Sequence, residues 1–555
     1  VRSDFAVLVL IGILVGLGSG LAGIALHLGI RYFSVGAFGT SGTVLGIFLP
    51  ALGAGLSWHV LNRVTHYEGR GIADVIWSAH REGGRMPKEA MFSQMAGVML
   101  TVGTGGSAGP EGPVAFSGAA IGSNLGSFLG LTERRRITLL GCGVAGATAA
   151  IFNAPVTGLM FALEVVLGTW FSIHILPIAL SSVTANVLAK SVLHDSQIFQ
   201  VGSFEMHNLD LLACVGLAVL VGLGSVGLQR TMRLTRNAIV RIPVSGWIKA
   251  VTGGLLVGLI GFFLVEIPGA SYGAIQDAFK GASEHGLWVI LLLVLAKMLA
   301  TGLTLGSGGC GGVFAPSLFI GAFLGLFYHA VLVATGLASP LSGAGGYALI
   351  GMAGMVGGTL QAPLTAIFLV AEITASYETL LPLILVSALA ALVTRYFEPV
   401  IYYHRELESH GGSRAIRLDS LILADLSLCE LLEQPAILLS EEQHVSAVRS
   451  EILESDADLF PVLARDGRYA GMARSLYLLG HEAEVSDYLL VADVMDSRWP
   501  RLRPDDDVGE LLRILDEEHV LAVPVLDNED RFQGLVSVDR LLRRYRQELL
   551  IQTQR

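Results

Sequence analysis

A glycine-rich stretch with one carboxylate is the part of this sequence best suited to chemistry. It runs from Gly103 to Pro113 within apolar sequence, and Glu111 lies two residues before its last proline. Backbone rich in glycine leaves its N–H groups accessible to a ligand. The apolar run from Pro113 predicts a helix, and a helix N-terminus offers free N–H donors and the positive end of the helix dipole. The stretch is therefore predicted to bind an anion, with Glu111 as an anion already tethered there.

The composition is that of a membrane protein. The chain has 555 residues, of which 52% are hydrophobic and 15% charged, and its mean hydropathy is +0.63. Soluble proteins are about 25% charged. The net charge of −11 argues against nucleic acid as a partner. The four cysteines are far apart, so neither a disulfide framework nor a metal site is expected. The bilayer is the predicted environment.

The apolar segments fall into two length classes. The segments long enough to span a bilayer are predicted at about 5–29, 42–62, 211–229, 247–266, 286–304 and 380–398. Short segments interrupted by Gly and Pro are predicted at 91–108, 113–130, 137–152, 155–167, 313–333, 344–359 and 363–374. Broken segments at membrane depth are tolerated where they line a cavity, which favours a transporter or channel over an anchor. The first apolar run is too long for the hydrophobic region of a cleavable signal.

A repeated glycine motif divides this part of the chain into two halves. Gly106–Gly112 and Gly306–Gly312 both fit the pattern G-S-x-G-x-x-G. We place the halves at about residues 1–195 and 205–403. Paired halves of this kind bind substrate between them, near the midplane of the bilayer.

A second repeated pattern contains two carboxylates. Pro155 leads to Glu164, and Pro363 leads to Glu372 at the same spacing. Ionisable residues in apolar runs are functional candidates by default. Because these two occupy equivalent positions, a shared structural role, accepting backbone N–H bonds, is the favoured interpretation.

The sequence becomes polar and charged after Tyr403. We assign residues 1–403 to a membrane domain, 404–424 to a linker and 425–555 to a soluble domain. The soluble domain repeats an amphipathic helix followed by a hairpin, with units at about 425–482 and 490–550. The hairpin signals are the apolar runs Phe460–Leu463 and Val523–Leu526, each followed by a turn.

These motifs resemble those of the CLC family of chloride channels and chloride/proton antiporters over nearly all of residues 1–403. The matching stretches are Gly109–Pro113, Ala154–Gly158, Gly312–Pro316 and Tyr402. The C-terminal repeat resembles a pair of CBS domains. The resemblance implies an all-α membrane domain of two inverted-topology repeats with broken, tilted helices, followed by an α/β tandem CBS domain. It also implies a homodimer with one anion pathway in each subunit.

The same resemblance implies an anion site with Glu111 as its gate. The other residues implied to contact the anion are Gly109, Gly112, Val313, Phe314 and Tyr402. Tyr403 is adjacent to Tyr402, so the tyrosine assignment stays open by one residue. Burial and a nearby chloride both disfavour the ionised carboxylate, so opening is expected to depend on pH. The alternative is that Glu111 is an ordinary first-turn carboxylate stabilised by the helix dipole.

Two positions depart from the family pattern. Val165 replaces the internal glutamate that relays protons in the antiporters, and valine cannot carry a proton. We therefore expect chloride transport that is channel-like or weakly proton-coupled, with a chloride/proton antiporter using a non-standard route as the alternative. Arg70 replaces a chloride-coordinating serine. It is either a charge at the cytoplasmic edge or an anion attractor at the inner mouth.

Other functional classes receive less support. Ser107 fits G-x-S-x-G, the pattern around the nucleophilic serine of many hydrolases. The second half repeats Gly306-Ser307 in a place where no hydrolase role applies, so an enzyme is not expected. A sensor whose membrane part is only an anchor would need no broken segments. No cofactor is required, and chloride is the expected bound ion. For the CBS region there are two alternatives: it binds adenine nucleotide at Ser537 and Asp539, or it has a purely structural or dimerising role. The expected location is the cell (inner or plasma) membrane, with the CBS domain in the cytoplasm.

Overall fold

The computed structural model divides the chain into two compact units, Val1–Ser413 and Arg414–Arg555. It describes residues 2–38, 42–64, 71–168, 172–193, 199, 208–279, 286–336, 343–375, 379–408, 428–455, 457–480, 487–518 and 520–544.

The described part of the first unit is built from helices joined by loops, and it follows the same plan twice. The helices of the first half are α1 (Arg2–Phe38), α2 (Val44–His59), α3 (Ile72–Arg81), α4 (Ser93–Gly103), α5 (Glu111–Phe128), α6 (Glu133–Phe152), α7 (Pro155–Met160) and α8 (Ser172–Leu193). The helices of the second half are α9 (Asn208–Val240), α10 (Gly246–Phe263), α11 (Tyr272–Phe279), α12 (Leu287–Gly306), α13 (Phe314–Ala334), α14 (Ala344–Leu360), α15 (Pro363–Thr374) and α16 (Leu380–Phe397). A short helix, α17 (Tyr402–Glu408), ends the unit.

Among the described residues, nine helices are long and apolar enough to cross a membrane. They include the six predicted long segments, and the predicted short segments near 155–167, 344–359 and 363–374 are confirmed as short helices. The prediction was wrong for 137–152 and 313–333, which belong to the long helices Glu133–Phe152 and Phe314–Ala334, and it omitted Ile175–Leu193.

The misjudged segments contain glycines that serve packing rather than interruption. A Cβ on Gly143 in α6 would lie 1.8 Å from the carbonyl oxygen of Gly118 in α5. A Cβ on Gly325 in α13 would lie 2.1 Å from the carbonyl oxygen of Tyr347 in α14. Helices that touch this closely need glycine at the contact. The same arrangement in both halves confirms the repeat.

The structure corrects the alignment of the glycine motifs. The backbone N–H of Ser107 donates to Thr304 Oγ1 at 3.1 Å, and that of Cys310 donates to Thr101 Oγ1 at 3.1 Å. Ser107 is thus equivalent to Cys310, three residues beyond the predicted match with Ser307. Gly105 and Gly308 share a φ of +105°, which L side chains rarely adopt, so both halves need glycine at this turn. The chance pattern G-S-x-G-x-x-G had set the wrong register.

The second unit contains two hairpins, as predicted. The strands β1 (Leu439–Ser440), β2 (Leu459–Leu463) and β3 (Tyr469–Arg474) form one sheet, in which β1 is parallel and β3 antiparallel to β2. The strands β4 (Ala522–Leu526) and β5 (Phe532–Ser537) form an antiparallel pair.

Short helices flank these sheets and enclose their apolar faces. They are α18 (Leu428–Leu431), α19 (Val445–Glu454), α20 (Ser475–Leu479), α21 (Val491–Val494) and α22 (Val508–Glu517), and residues 538–544 are also helical. The side chain of Asp507 caps α22 by accepting from the backbone N–H of Glu510 at 3.1 Å. The predicted succession of amphipathic helix, hairpin and helix is therefore present.

Candidate functional site

The two glycine-rich loops meet at the centre of the first unit. The N–H of Gly109 donates to the carbonyl of Gly312 at 2.8 Å, and the N–H of Gly312 donates to the carbonyl of Gly109 at 2.7 Å. This two-residue antiparallel bridge joins the halves. Helix α5 begins at Glu111 and α13 at Phe314, just beyond the bridge in each half. Two helix N-termini are thus brought together in a buried place, where their free N–H groups favour an anion.

The carboxylate of Glu111 lies at this meeting point. Its side chain is 1% exposed, and its Oε1 accepts a hydrogen bond from the Tyr272 hydroxyl at 2.5 Å. Its Oε2 makes no hydrogen bond of ordinary geometry to the described residues, although the backbone N–H groups of Glu111 and Ala315 lie close enough to the carboxylate to act on its charge. A carboxylate with one firm partner at a helix N-terminus is held by partial charges rather than by a buried cation.

Gly109 makes room for this carboxylate. A Cβ at Gly109 would lie 1.9 Å from Glu111 Oε2 and 3.1 Å from the backbone nitrogen of Ala315. The carboxylate therefore fills the space that any side chain at position 109 would require. We call this space, between Gly109, Ala315 and the start of α5, the carboxylate seat.

The other predicted backbone contacts lie beside the seat. Val313 and Phe314 are each 1% exposed, and Val313 is the N-terminal cap of α13. The ring of Phe314 packs against Phe161, with ring centroids 5.3 Å apart. A Cβ on Gly112 would lie 3.5 Å from Gly312 Cα. The fold thus brings together the predicted residues Gly109, Glu111, Gly112, Val313 and Phe314.

Tyr272 is a contact that the sequence analysis missed. It is the first residue of α11, and its ring meets Phe199 edge-on with centroids 5.8 Å apart. The sequence signal was only that Pro268-Gly269 predicts a turn just before a helix. Nothing in the pattern of residue types connects this tyrosine with Glu111.

The two adjacent tyrosines of α17 have different surroundings. Tyr403 is 5% exposed, whereas Tyr402 is half-buried. Tyr403 lies close enough to Glu406 and Glu111 to interact with them electrostatically, whereas the groups acting on Tyr402 are Glu406, Tyr403 and Arg236. Of the two hydroxyl candidates, Tyr403 is the better placed toward Glu111.

The repeated carboxylates bind the opposite halves together. Glu372 accepts from the N–H groups of Val156 and Thr157 at 2.9 and 2.7 Å, and from the Thr157 hydroxyl at 2.7 Å. Glu164 accepts in the same way from the N–H groups of Leu364 and Thr365 at 3.1 and 2.7 Å. Each carboxylate thus caps the first turn of a helix in the other half. The predicted structural role is confirmed.

The two positions that depart from the family pattern differ in what the structure shows. Val165 lies in a π-helical segment, Phe161–Leu167, and is half-buried. Arg70 lies outside the described residues. The described part of the chain resumes at Gly71, which has a φ of +63° and lies just before the start of α3.

The surroundings of Ser107 are structural. Its hydroxyl is hydrogen-bonded to Thr301 Oγ1 at 3.1 Å in a buried position. Together with the bond from its N–H to Thr304, this attaches the first glycine loop to α12. The described residues hold no cluster of His, Cys, Asp or Glu suited to a metal ion. These contacts give the nucleophile alternative no support.

In the second unit, the two predicted nucleotide contacts both interact with other residues of the unit. Ser537 Oγ accepts from the N–H of Arg540 at 3.1 Å, and exposed Asp539 pairs with Arg543. A cleft of about 530 Å³ lies elsewhere, between β3 and the segment that follows α21. Its lining includes Arg474, Tyr477, Asp496 and Arg498. Neither Ser537 nor Asp539 lines this cleft.

Comparisons with known proteins agree with the fold. A family model described as "Voltage gated chloride channel" matches residues 51–395, and a model described as "CBS domain" matches residues 491–547. The chain is 30% identical to a putative chloride channel protein ClcB-like of Ralstonia nicotianae over 345 residues, covering 60% of this chain and 76% of that protein. It is 29% identical to the H(+)/Cl(−) exchange transporter ClcA of Vibrio parahaemolyticus, covering 60% of this chain and 71% of that protein.

Solved structures are similar as well. A slow cyanobacterial Cl−/H+ antiporter has a TM-score of 0.66 at 23% identity, covering 73% of this chain and 98% of that chain. A eukaryotic CLC transporter has a TM-score of 0.64 at 17% identity, covering 96% of this chain and 97% of that chain. Both show a shared fold. The chain spans 55% of a plant relative, the chloride channel protein CLC-f of Arabidopsis thaliana.

The fold and the family match define a membrane transport protein with two inverted repeats and a C-terminal CBS region. The chain belongs to the voltage-gated chloride channel, or CLC, family.

The hydrogen bonds of Glu164 and Glu372 to the opposite halves can be tested by measuring the stability of variants. We expect Glu372→Gln and Glu164→Gln each to cost about 1.5–3 kcal/mol, because each removes charged hydrogen bonds to a helix N-terminus. Thermal unfolding of the detergent-solubilised protein measures the loss, and Glu89→Gln, at an exposed position of the same unit, is the control. Unfolding of either variant at the temperature of the control would contradict the structural role.

Proposed function

We propose that the protein transports chloride, or a similar monovalent anion, along a pathway in each subunit that Glu111 gates. The observation that carries this proposal is the carboxylate seat, where Glu111 occupies the meeting point of two helix N-termini. A site that accepts a tethered carboxylate also accepts a free anion, because both are stabilised by the same N–H groups and dipoles. The relatives named as chloride channels and exchangers support the choice of chloride.

The gate follows from competition for one site. The ionised Glu111 side chain and an anion cannot both occupy the seat, since Oε2 fills the space beside Gly109. Protonation removes the charge that the helix N-termini attract, and the side chain then leaves more readily. An anion held by N–H groups rather than by a cation is bound firmly enough to enter and weakly enough to leave.

The contacts favour channel-like or weakly proton-coupled transport. Val165 offers no titratable group at the position of the internal proton relay. Glu164 beside it is the nearest substitute along the chain, but both of its oxygens accept bonds from Leu364 and Thr365. Obligatory chloride/proton exchange by another route is the alternative, which the names of the Vibrio relative and the cyanobacterial antiporter support.

The wider assignment includes a homodimer in the cell membrane with its CBS domains in the cytoplasm, as the family implies. An adenine nucleotide bound by the CBS domains is part of the same assignment. We place it in the cleft near Arg474 and Arg498, whose guanidinium groups can pair with phosphate, while Asp493 and Asp496 in the same lining offset their charge.

Removing the charge of Glu111 tests the gate. In proteoliposomes we expect chloride flux of the wild type to rise as pH falls, because protonation releases the carboxylate from its seat. Glu111→Gln should give a high flux that no longer changes over the range in which carboxylates titrate, since glutamine carries no proton to lose. A variant with the pH dependence of the wild type would remove Glu111 from the gate.

Adding one methyl group to the seat tests its geometry. Gly109→Ala places a Cβ 1.9 Å from Oε2 of Glu111 and only 3.1 Å from the backbone of Ala315, so the flexible carboxylate must move. We expect chloride flux at neutral pH to increase to at least half that of Glu111→Gln.

The matched control for this variant is the double substitution Gly109→Ala/Glu111→Ala. Its flux should equal that of Glu111→Ala, because no carboxylate remains to be displaced. If the methyl group reduced flux in both backgrounds, it would be blocking the pathway, and the seat would not be where we place it.

Simultaneous recording of chloride and proton movement decides the coupling. With a chloride gradient across the liposome membrane, we expect chloride flux with little proton movement, because Val165 and Glu164 supply no relay. Stoichiometric proton movement against its own gradient would reject channel-like transport in favour of the exchanger.

A further inference from the structure

A buried lysine lies behind Tyr272 in a position that no motif marks. Nζ of Lys297 in α12 donates to the carbonyls of Ile267 and Gly269 at 2.8 and 2.9 Å, and to the Ser271 hydroxyl at 2.8 Å. The side chain is 0% exposed. A lysine has three N–H donors, and all three point into one five-residue turn. We propose that Lys297 is a positioning residue that holds this turn so that the Tyr272 hydroxyl keeps Glu111 in its seat.

The turn from Ile267 to Ser271 needs such support. Ser271 has a φ of +60°, in the left-handed region that costs a non-glycine residue about 1 kcal/mol. The Ser271 hydroxyl, which accepts from Lys297, itself points back to the carbonyl of Ile267 at 3.1 Å. Since α11 begins at the next residue, the backbone conformation of Ser271 sets the direction of the Tyr272 side chain.

The turn is also attached to the loop that leads to the gate. The N–H of Gly269 donates to the carbonyl of Gly105 at 3.1 Å. Gly105 belongs to the glycine-rich stretch that ends in Glu111. Lys297 thus holds a turn that is bonded to the glycine-rich loop. That turn positions Tyr272, which donates the hydrogen bond, and the loop carries Glu111, which accepts it.

Comparison of the two halves separates this role from simple packing. In the corrected register of the repeat, the position equivalent to Lys297 is Gln94 of α4. Gln94 is 5% exposed, and its Oε1 accepts from Cys310 Sγ at 2.9 Å. The equivalent position in the other half is therefore occupied by a neutral side chain that is buried and hydrogen-bonded. Burying an amine costs free energy, whether it is charged or kept neutral, and in this half the amine serves the turn that presents Tyr272.

This inference rests on the proposed gate and concerns how firmly Glu111 is held in its seat when the gate is closed. A hydroxyl that donates to a carboxylate stabilises the ionised form. Loss of the Tyr272 bond, directly or through a loosened turn, should make Glu111 easier to protonate and to displace. The pH at which flux is half-maximal should then move upward by about one unit, which corresponds to a tenfold change in the closed-to-open ratio.

The test is a set of proteoliposome pH profiles on the full chain. Lys297→Met keeps the apolar stem and removes the donors, and Tyr272→Phe removes the hydroxyl alone. We expect both to raise the midpoint by about one unit. The double variant should match Tyr272→Phe, because the two residues act through one hydrogen bond. In the Glu111→Gln background, Lys297→Met should leave flux unchanged.

Gln94→Met is the matched control from the other half and should leave the midpoint unchanged. Ser271→Ala removes one of the three acceptors of Lys297 and should raise the midpoint by a smaller amount, which keeps the inference testable if Lys297→Met fails to fold. The inference is overturned if Ser271→Ala leaves the midpoint unchanged. It is also overturned if Tyr272→Phe shifts the midpoint while Lys297→Met keeps the wild-type midpoint. A shift of the midpoint by Gln94→Met as large as that by Lys297→Met would overturn it as well.

Failure of the inference and failure of the gate are distinguishable. If Glu111→Gln keeps the pH dependence of the wild type, the gate itself is wrong. If Glu111→Gln is independent of pH while Lys297→Met and Ser271→Ala match the wild type, only the positioning role is wrong.

Discussion

The pairing of Gly109 with Gly312 is the constraint on which the rest of the membrane unit depends. Two backbone hydrogen bonds join the halves at one point, and a helix begins just beyond that point in each half. The positive ends of two helix dipoles therefore face a common buried space. This arrangement attracts an anion through the partial charges of backbone N–H groups.

The structure uses one interaction, a carboxylate at a helix N-terminus, in two different ways. Glu164 and Glu372 each accept three hydrogen bonds from the opposite half and act as permanent caps. Glu111 has one strong donor, Tyr272, and an Oε2 without an ordinary hydrogen bond to the described residues. The number of donors distinguishes a structural carboxylate from one that can leave. Because Tyr272 supplies the firmest bond to Glu111, whatever holds Tyr272 in place also sets how readily the proposed gate opens.

Local sequence signals predicted much of the candidate site. The glycine-rich stretch and the helix start beside Glu111 follow from patterns a few residues long, and the resemblance to the CLC family added Val313 and Phe314. The structural role of Glu164 and Glu372 followed from their equivalent spacing, because two halves related by a repeat place such residues in reciprocal contacts. The hairpins of the second unit were also predicted, since turn residues separate their apolar strands.

The features that were missed depend on contacts between distant segments. Tyr272 meets Glu111 across 161 positions of the chain, and no local pattern records that meeting. The register of the repeat was wrong because Gly306-Ser307 imitates Gly106-Ser107, whereas the equivalent turn is identified by hydrogen bonds and by the φ of Gly308. The spans at 137–152 and 313–333 were judged short because glycine was interpreted as an interruption, when it allows close helix packing.

The central claim is that an anion and the Glu111 carboxylate compete for one seat. Its most direct test is a structure of the protein in lipid with bromide, which the anomalous scattering of bromide locates. The account predicts bromide in contact with the N–H of Ala315 beside Gly109, with the Glu111 side chain displaced and its bond to Tyr272 broken. Bromide found elsewhere, with Glu111 still bonded to Tyr272 at saturating bromide, would contradict it.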